Sequence, residues 1–153
     1  MGDSQRVVRI LGAGLAGSEA ALQLADRGIR VELVEMRPEV GTAVHKTGNA
    51  AELVCSNSLK STNPDSAAGM LKAELSALGS HLIDAAMRNR VAAGGALAVD
   101  RDAFSGEVTA RLCAHPCIEI SRRLARSLDE EAVGVDALIV ATGPLTEGDL
   151  AQS

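Results

Sequence analysis

The segment Val7-Val8-Arg9-Ile10-Leu11-Gly12-Ala13-Gly14-Leu15-Ala16-Gly17 constrains this chain more than any other. An apolar, β-branched run leads into Gly-x-Gly-x-x-Gly, and an alanine-rich helical pattern from Leu15 to Leu24 follows at once. That order predicts a strand, a tight turn and a helix, the opening of a dinucleotide-binding unit. Each glycine has its own task. Gly12 allows the turn, Gly14 lets the backbone approach a pyrophosphate, and Gly17 lets the helix pack close to the sheet. The helix N-terminus adds free N–H groups and a partial positive charge. Gly12, Ala13, Gly14, Leu15, Ala16 and Gly17 are therefore the expected phosphate loop.

A glycine pattern alone is weak, so the next strand has to agree with it. Gly28 is placed to end the helix as a C′ glycine, and Ile29 to Glu35 reads as a second parallel strand closing on an acid. Glu35 lies 21 residues beyond Gly14, close to the roughly 20 expected of the carboxylate that binds ribose hydroxyls. A carboxylate there repels a 2′-phosphate, which favours FAD or NAD over NADP. Near the end, Ala137-Leu138-Ile139-Val140-Ala141 runs into Thr142-Gly143-Pro144. This has the pattern of a buried parallel strand whose carboxyl end approaches a ligand. Gly143 adds to the FAD reading, because flavoproteins of the two-dinucleotide-binding type carry such an Ala-Thr-Gly beside the cofactor.

The fold class that follows is α/β, a Rossmann-like FAD/NAD(P)-binding domain with a central parallel sheet. One such domain occupies 1–153, its strands at 6–11 and 30–35 flanking a helix over 15–27. An excursion from about 36 to 100 is inserted after the second strand. Within it, Asn63-Pro64-Asp65-Ser66 is a helix start, and Leu71, Leu75, Leu78, Leu82 and Ala86 form one apolar stripe facing a core. Asp100 or Asp102 caps a further helix carrying Phe104, Val108 and Leu112 on one face, ended by Pro116. Short strands are expected over Cys117–Ser121 and Arg123–Ser127, with a turn near Asp129–Gly134.

Composition removes several function classes. A net charge of −5 argues against a broadly nucleic-acid-attracting surface. Arg122, Arg123 and Arg126 read as a solvated hairpin face, with a local basic patch as the alternative. No signal peptide is evident at the N-terminus and no apolar run approaches a membrane span, so no membrane is expected and the expected compartment is the cytoplasm. Three cysteines do not suggest a disulfide framework. Cys113 and Cys117, with His115 between them, match no zinc spacing and read as a helix end and a strand start, so no metal is expected. His45 reads as a solvated loop histidine. With one Phe and neither Trp nor Tyr, the chain offers a flavin ring almost nothing aromatic to stack on.

Five motifs together resemble one family. They are residues 12–21, Glu35-Met36-Arg37-Pro38, Glu52-Leu53-Val54-Cys55-Ser56-Asn57-Ser58-Leu59, Gly94 to Arg101, and Ala141-Thr142-Gly143-Pro144-Leu145-Thr146. In this order they resemble the FAD- and folate-dependent tRNA (uracil-5-) methyltransferases, historically called Gid. The resemblance covers essentially the whole chain, yet members are far longer, so the chain looks like an amino-terminal portion. It implies methylation of C5 of a uracil in the tRNA T-loop, with carbon from 5,10-methylenetetrahydrofolate and electrons from NAD(P)H through FAD. It also implies that Cys55 is the catalytic cysteine of the 52–59 motif, while most of the tRNA surface belongs to the longer protein. On residues alone, Cys55 more often reads as a small buried hydrophobe. Two alternatives stay open: a truncated FAD-binding module without activity of its own, and the related wobble-uridine modification (GidA-like) flavoproteins.

Overall fold

The structure is a computed structural model, and it describes residues 6–144, 146 and 148–153. Leu145, part of the last motif above, lies outside the described residues. Strand β1 (Val7–Leu11) leads into helix α1 (Leu15–Asp26), which ends at Gly28 with φ +76° before strand β2 (Arg30–Glu35). Then come β3 (Ser58–Ser61), α2 (Ala67–Ala77), α3 (His81–Arg88), β4 (Arg90–Val91), β5 (Ala96–Val99) and α4 (Arg101–Ala114). Strand β6 (Ile118–Arg122), the one-turn helix α5 (Leu128–Glu131), strand β7 (Ala137–Val140) and a 3₁₀ turn over Gly148–Ala151 complete the chain.

The main sheet is four-stranded, parallel throughout, in the order β6-β2-β1-β7. Its connections run outward from β1 to one side through β2 and β6, then return to the other side at β7. The strand order thus reverses between β1 and β7, and a ligand crevice is expected beyond the carboxyl ends of those two strands. The turn over residues 12–17 follows β1 and the Thr142-Gly143 segment follows β7 at those ends.

Alternation along the strands sorts the two faces. Val8, Ile10, Val31 and Leu33 share one core with Ala21, Leu22 and Ala25 of α1 and with Phe104, Val108 and Leu112 of α4. Each fully buried large side chain of this kind contributes roughly 1.5–3 kcal/mol. On the other face Leu11 and Val34 pack with Ala125, Leu128 and Leu138. Arg9 and Glu32, paired across β1 and β2 at 2.7 Å, also point that way, and Arg9 reaches Glu131 of α5 at 3.5 Å.

Four sequence expectations need correction. The single stripe from Leu71 to Ala86 is broken at Gly79, whose φ of +75° ends α2 and lets Ser80 cap α3. Only its far end reaches the core: Leu82 and Ala86 are buried, while Leu71 and Leu78 are 55% and 75% exposed. The side chain of Glu19 in α1 seals the break by accepting from the N–H groups of His81 (3.1 Å) and Leu82 (2.9 Å).

The strand expected over Arg123–Ser127 does not form. Past one further bond, Arg123 N–H to the Glu35 carbonyl, the chain turns away, and α5 occupies the first part of the expected turn, which is completed at 132–134. Strand β7 is parallel as expected but is not buried. It is a sheet edge, and Val140 is 52% exposed. Finally, the excursion holds a separate three-stranded antiparallel sheet, β3-β5-β4, which the loop-rich sequence did not announce.

Candidate dinucleotide site

The turn after β1 is held by main-chain contacts that admit no side chains. Gly12 has φ +96°, and a Cβ there would sit 2.6 Å from the carbonyl oxygen of Ala141. A Cβ on Gly17 would fall 1.9 Å from the carbonyl oxygen of Gly12. These two glycines are demanded by the protein itself. Gly14 differs: its φ is −71° and nothing lies within 4 Å of its would-be Cβ. The fold leaves open space at the one glycine that was assigned to ligand approach.

Gly14 is also the N-cap of α1, with no side-chain cap and no acid in the first turn. The two longer helices that follow are capped by Ser66 and Asp100, whose side chains accept from main-chain N–H groups. Among the described residues no side chain caps the leading N–H groups at Gly14, and Leu15 and Ala16 are exposed. Orphan donors and the helix dipole there suit an anionic oxygen. This arrangement fits a dinucleotide pyrophosphate.

Glu35, at the carboxyl end of β2, is 5% exposed and faces the same loop. Its Oε2 accepts from Ala13 N–H at 2.8 Å, and its Oε1 accepts from the main-chain N–H and the Nε of Arg37 at 3.0 and 2.8 Å. Burial alone would raise the Glu35 pKa; the hydrogen bonds from Arg37 and Ala13 outweigh it, and the net direction is down. The group is a carboxylate.

Arg37 is equally buried. Its Nη1 also reaches Glu52 Oε2 at 3.2 Å, so one guanidinium bridges two carboxylates. Glu52 in turn accepts from the N–H groups of Lys46 and Thr47 and from the Thr47 hydroxyl. Arg122, at the end of β6, donates to the carbonyls of Arg37 and Gly48 at 2.9 and 3.0 Å. Arg122 and Arg123, read as part of a solvated hairpin face with a basic patch as the alternative, are instead engaged: Arg122 ties down this loop, and Arg123 is paired with Glu131.

Sequence reasoning missed the roles of Arg37, Glu52 and Arg122. Only the position of Arg37, two residues after the acid, hinted at an ion pair. His45 is half-buried in the same loop, its Nδ1 2.7 Å from the Thr42 hydroxyl, and burial with the nearby Arg37 charge lowers its pKa.

The segment leading to Cys55 is attached to the phosphate loop. Ala51 N–H donates to the Ala13 carbonyl at 2.8 Å. Cys55 itself is exposed, which corrects its reading as a buried hydrophobe. The Leu53 carbonyl just before it accepts from Arg101 at 3.4 Å, and the Ser56 hydroxyl accepts from Ser58 N–H at 3.2 Å. Gly143 lies beyond β7, where Ala141 still donates to Leu11 of β1; it is exposed, with φ +76° and open space at its would-be Cβ. Cys113 and Cys117 are free thiols; His115 between them is 3.3 Å from Asp26 and accepts from Cys117 N–H.

The chain is 51% identical over 149 residues to the methylenetetrahydrofolate--tRNA-(uracil-5-)-methyltransferase TrmFO of Streptococcus pneumoniae strain Hungary19A-6. It is 52% identical to the protein of the same name from strain ATCC 700669. Each alignment covers 97% of this chain and 33% of the relative, so the chain spans about a third of their length. Among solved structures, 6-hydroxypseudooxynicotine amine oxidase from Pseudomonas geniculata N1 aligns with 94% of this chain and 15% of its own, at 18% identity and a TM-score of 0.45. A family model described as "Glucose inhibited division protein A" matches residues 7–152. Matched along nearly its whole length, the chain belongs to the glucose inhibited division protein A family.

Proposed function

We propose that this chain is the FAD-binding part of a methylenetetrahydrofolate–tRNA-(uracil-5-)-methyltransferase acting in the cytoplasm. The observation that carries the reading is the conjunction at the end of β1: an uncapped helix N-terminus, open space at Gly14, and a buried carboxylate at Glu35. Residues 12–17 would hold the pyrophosphate of FAD and Glu35 its ribose, with Gly143 facing the cofactor. When bound, FAD supplies the reducing step, drawing electrons from NAD(P)H. The names of the relatives support 5,10-methylenetetrahydrofolate as carbon donor and tRNA as acceptor. Their identity, with the Glu52–Leu59 motif, favours this reading over a wobble-uridine enzyme.

The chain's own contribution to the chemistry is Cys55. C5 of uracil is a poor nucleophile until a thiolate adds to C6, and a base must later remove the C5 proton. An exposed thiol, tethered through Ala51 to the phosphate loop, is suited to either task. The chain by itself is expected to transfer no carbon, because it spans a third of the relatives' length. The test uses a protein of the relatives' length. Purified with flavin, it should pass label from methylenetetrahydrofolate to uracil C5 of a tRNA transcript. A flavin-loaded protein that transfers no label would overturn the assignment.

A further inference from the structure

Five hydrogen bonds close a circuit between the phosphate loop and the chain that carries Cys55. Ala13 N–H donates to Glu35, Glu35 accepts from Arg37, Arg37 donates to Glu52, and Ala51, next to Glu52, donates back to Ala13. Cys55 lies three residues beyond Glu52. A carboxylate offers about four acceptor sites, and three donors already occupy those of Glu35, at 2.8, 3.0 and 2.8 Å. A ribose brings two hydroxyls. The second must share with or displace a present donor, and of the three only the Arg37 Nε belongs to a side chain. The same side chain reaches Glu52 at 3.2 Å, against 2.8 Å to Glu35.

We propose that Arg37 is a positioning residue: through Glu52 it transmits the occupancy of the Glu35 carboxylate to the segment that carries Cys55. The proposal rests on the FAD reading above and adds to it that cofactor binding sets the thiol. Arg37 suits this role because its two ion-pair partners are both acids, with the Thr47 carbonyl a further acceptor at 3.5 Å, and it is itself buried between them. The Arg122 contacts to the carbonyls of Arg37 and Gly48 hold the main chain still, leaving the guanidinium as the moving part.

The test measures alkylation of Cys55 by iodoacetamide, peptide by peptide, in the wild-type protein and in Arg37→Met and Glu52→Gln. The exposed Cys113 serves as internal reference. Rates are compared for the free protein, with saturating FAD, and with saturating ADP. ADP carries a ribose and a pyrophosphate but no flavin ring, so it cannot cover the thiol directly. In the wild type, ADP should change the Cys55 rate by about fivefold or more, the lower range for two coupled sites, and leave Cys113 alone. In Arg37→Met the ratio should fall to about one while FAD still binds. Glu52→Gln should do the same, and it keeps the buried Glu35–Arg37 pair intact should Arg37→Met fail to fold. FAD and ADP binding with an unmoved Cys55, or a ratio preserved in Glu52→Gln, overturns the coupling alone. Failure of the wild type to bind FAD overturns the reading beneath it as well.

Discussion

The main-chain N–H of Ala51 donates to the carbonyl of Ala13 at 2.8 Å, so two segments far apart in sequence form one unit at the carboxyl edge of the sheet. Ala51 is fully buried with φ +53°, a conformation that costs a non-glycine residue roughly 1–2 kcal/mol. Neighbouring contacts hold it there. The Thr109 hydroxyl accepts from Ala50 N–H at 2.9 Å, and the Ser18 hydroxyl donates to the same Ala13 carbonyl at 3.1 Å. The loop over residues 12–17 is consequently not built independently of the Cys55 segment. Perturbing one is expected to reach the other.

Two glycine substitutions should separate fold from ligand. Gly17→Ala drives a Cβ to 1.9 Å from the Gly12 carbonyl, where backbone must shift. Such overpacking costs about 1–3 kcal/mol, read as a lower urea midpoint. Gly14→Ala meets nothing within 4 Å and should leave that midpoint in place. It should nevertheless weaken FAD binding about tenfold or more, the equivalent of about 1.4 kcal/mol. Equal effects of the two substitutions on stability would show that Gly14 is also a packing glycine.

Removing the Glu35 carboxylate should act on both affinity and stability. Glu35→Ala deletes a charge-assisted acceptor worth about 1.5–3 kcal/mol to a bound ribose. It also leaves the buried Arg37 guanidinium with Glu52 as its one carboxylate partner among the described residues, which should cost less than the ~3–5 kcal/mol of a buried charge left without any partner. Glu35→Gln keeps the shape and one acceptor, so it should fold better while still binding FAD weakly. FAD titration with parallel urea unfolding checks both, and unchanged FAD affinity in Glu35→Gln would mean that the carboxylate serves only Arg37.

Glu19 should give the fold an acid-sensitive contribution. Burial alone would raise its pKa, but N–H groups of α3, Gln23 and Ser80 bind the charged form, and the net shift is downward. A depressed pKa stabilises the fold above the unfolded value of about 4.3 and loses that contribution as pH falls through the lower folded value. At pH 7 Glu19→Gln should therefore be less stable than wild type by about 1–2 kcal/mol, the scale of a lost helix cap. The gap should close as the pH is taken below about 4. Urea midpoints measured across that range would refute the capping role if the gap were constant.

The parts of this site that the sequence made legible are those whose signals are local. Gly12 to Gly17, the capping Asp100 and the buried trio Phe104, Val108 and Leu112 each declare themselves within one turn or one strand. The stripe from Leu71 to Ala86 misled because spacing alone cannot see that Gly79 and a carboxylate from α1 begin a new helix at Ser80. Val140 looked like core because it is apolar, but its burial depends on what lies beside β7. Arg37, Glu52 and Arg122 were invisible as a group, since only the folded loop brings their charges together.

Cys55 is where site and chemistry meet, and its substitution separates the two. In a protein of the relatives' length, Cys55→Ala should abolish carbon transfer to uracil, a fall of several orders of magnitude if the thiol is nucleophile or essential base. The side chain is exposed and its Sγ is not among the contacts that hold the loop, so the fold should be unaffected. FAD binding should persist as well, because the tie to the phosphate loop runs through the main chain of Ala51 and the side chain of Glu52. Cys113→Ser and Cys117→Ser serve as controls and should transfer label at close to the wild-type rate, since one lies at the end of α4 and the other just before β6. Label transfer from methylenetetrahydrofolate to a tRNA transcript is the deciding assay. Robust labelling by flavin-loaded Cys55→Ala would reduce this thiol to a surface residue and move the chemistry to another part of the protein.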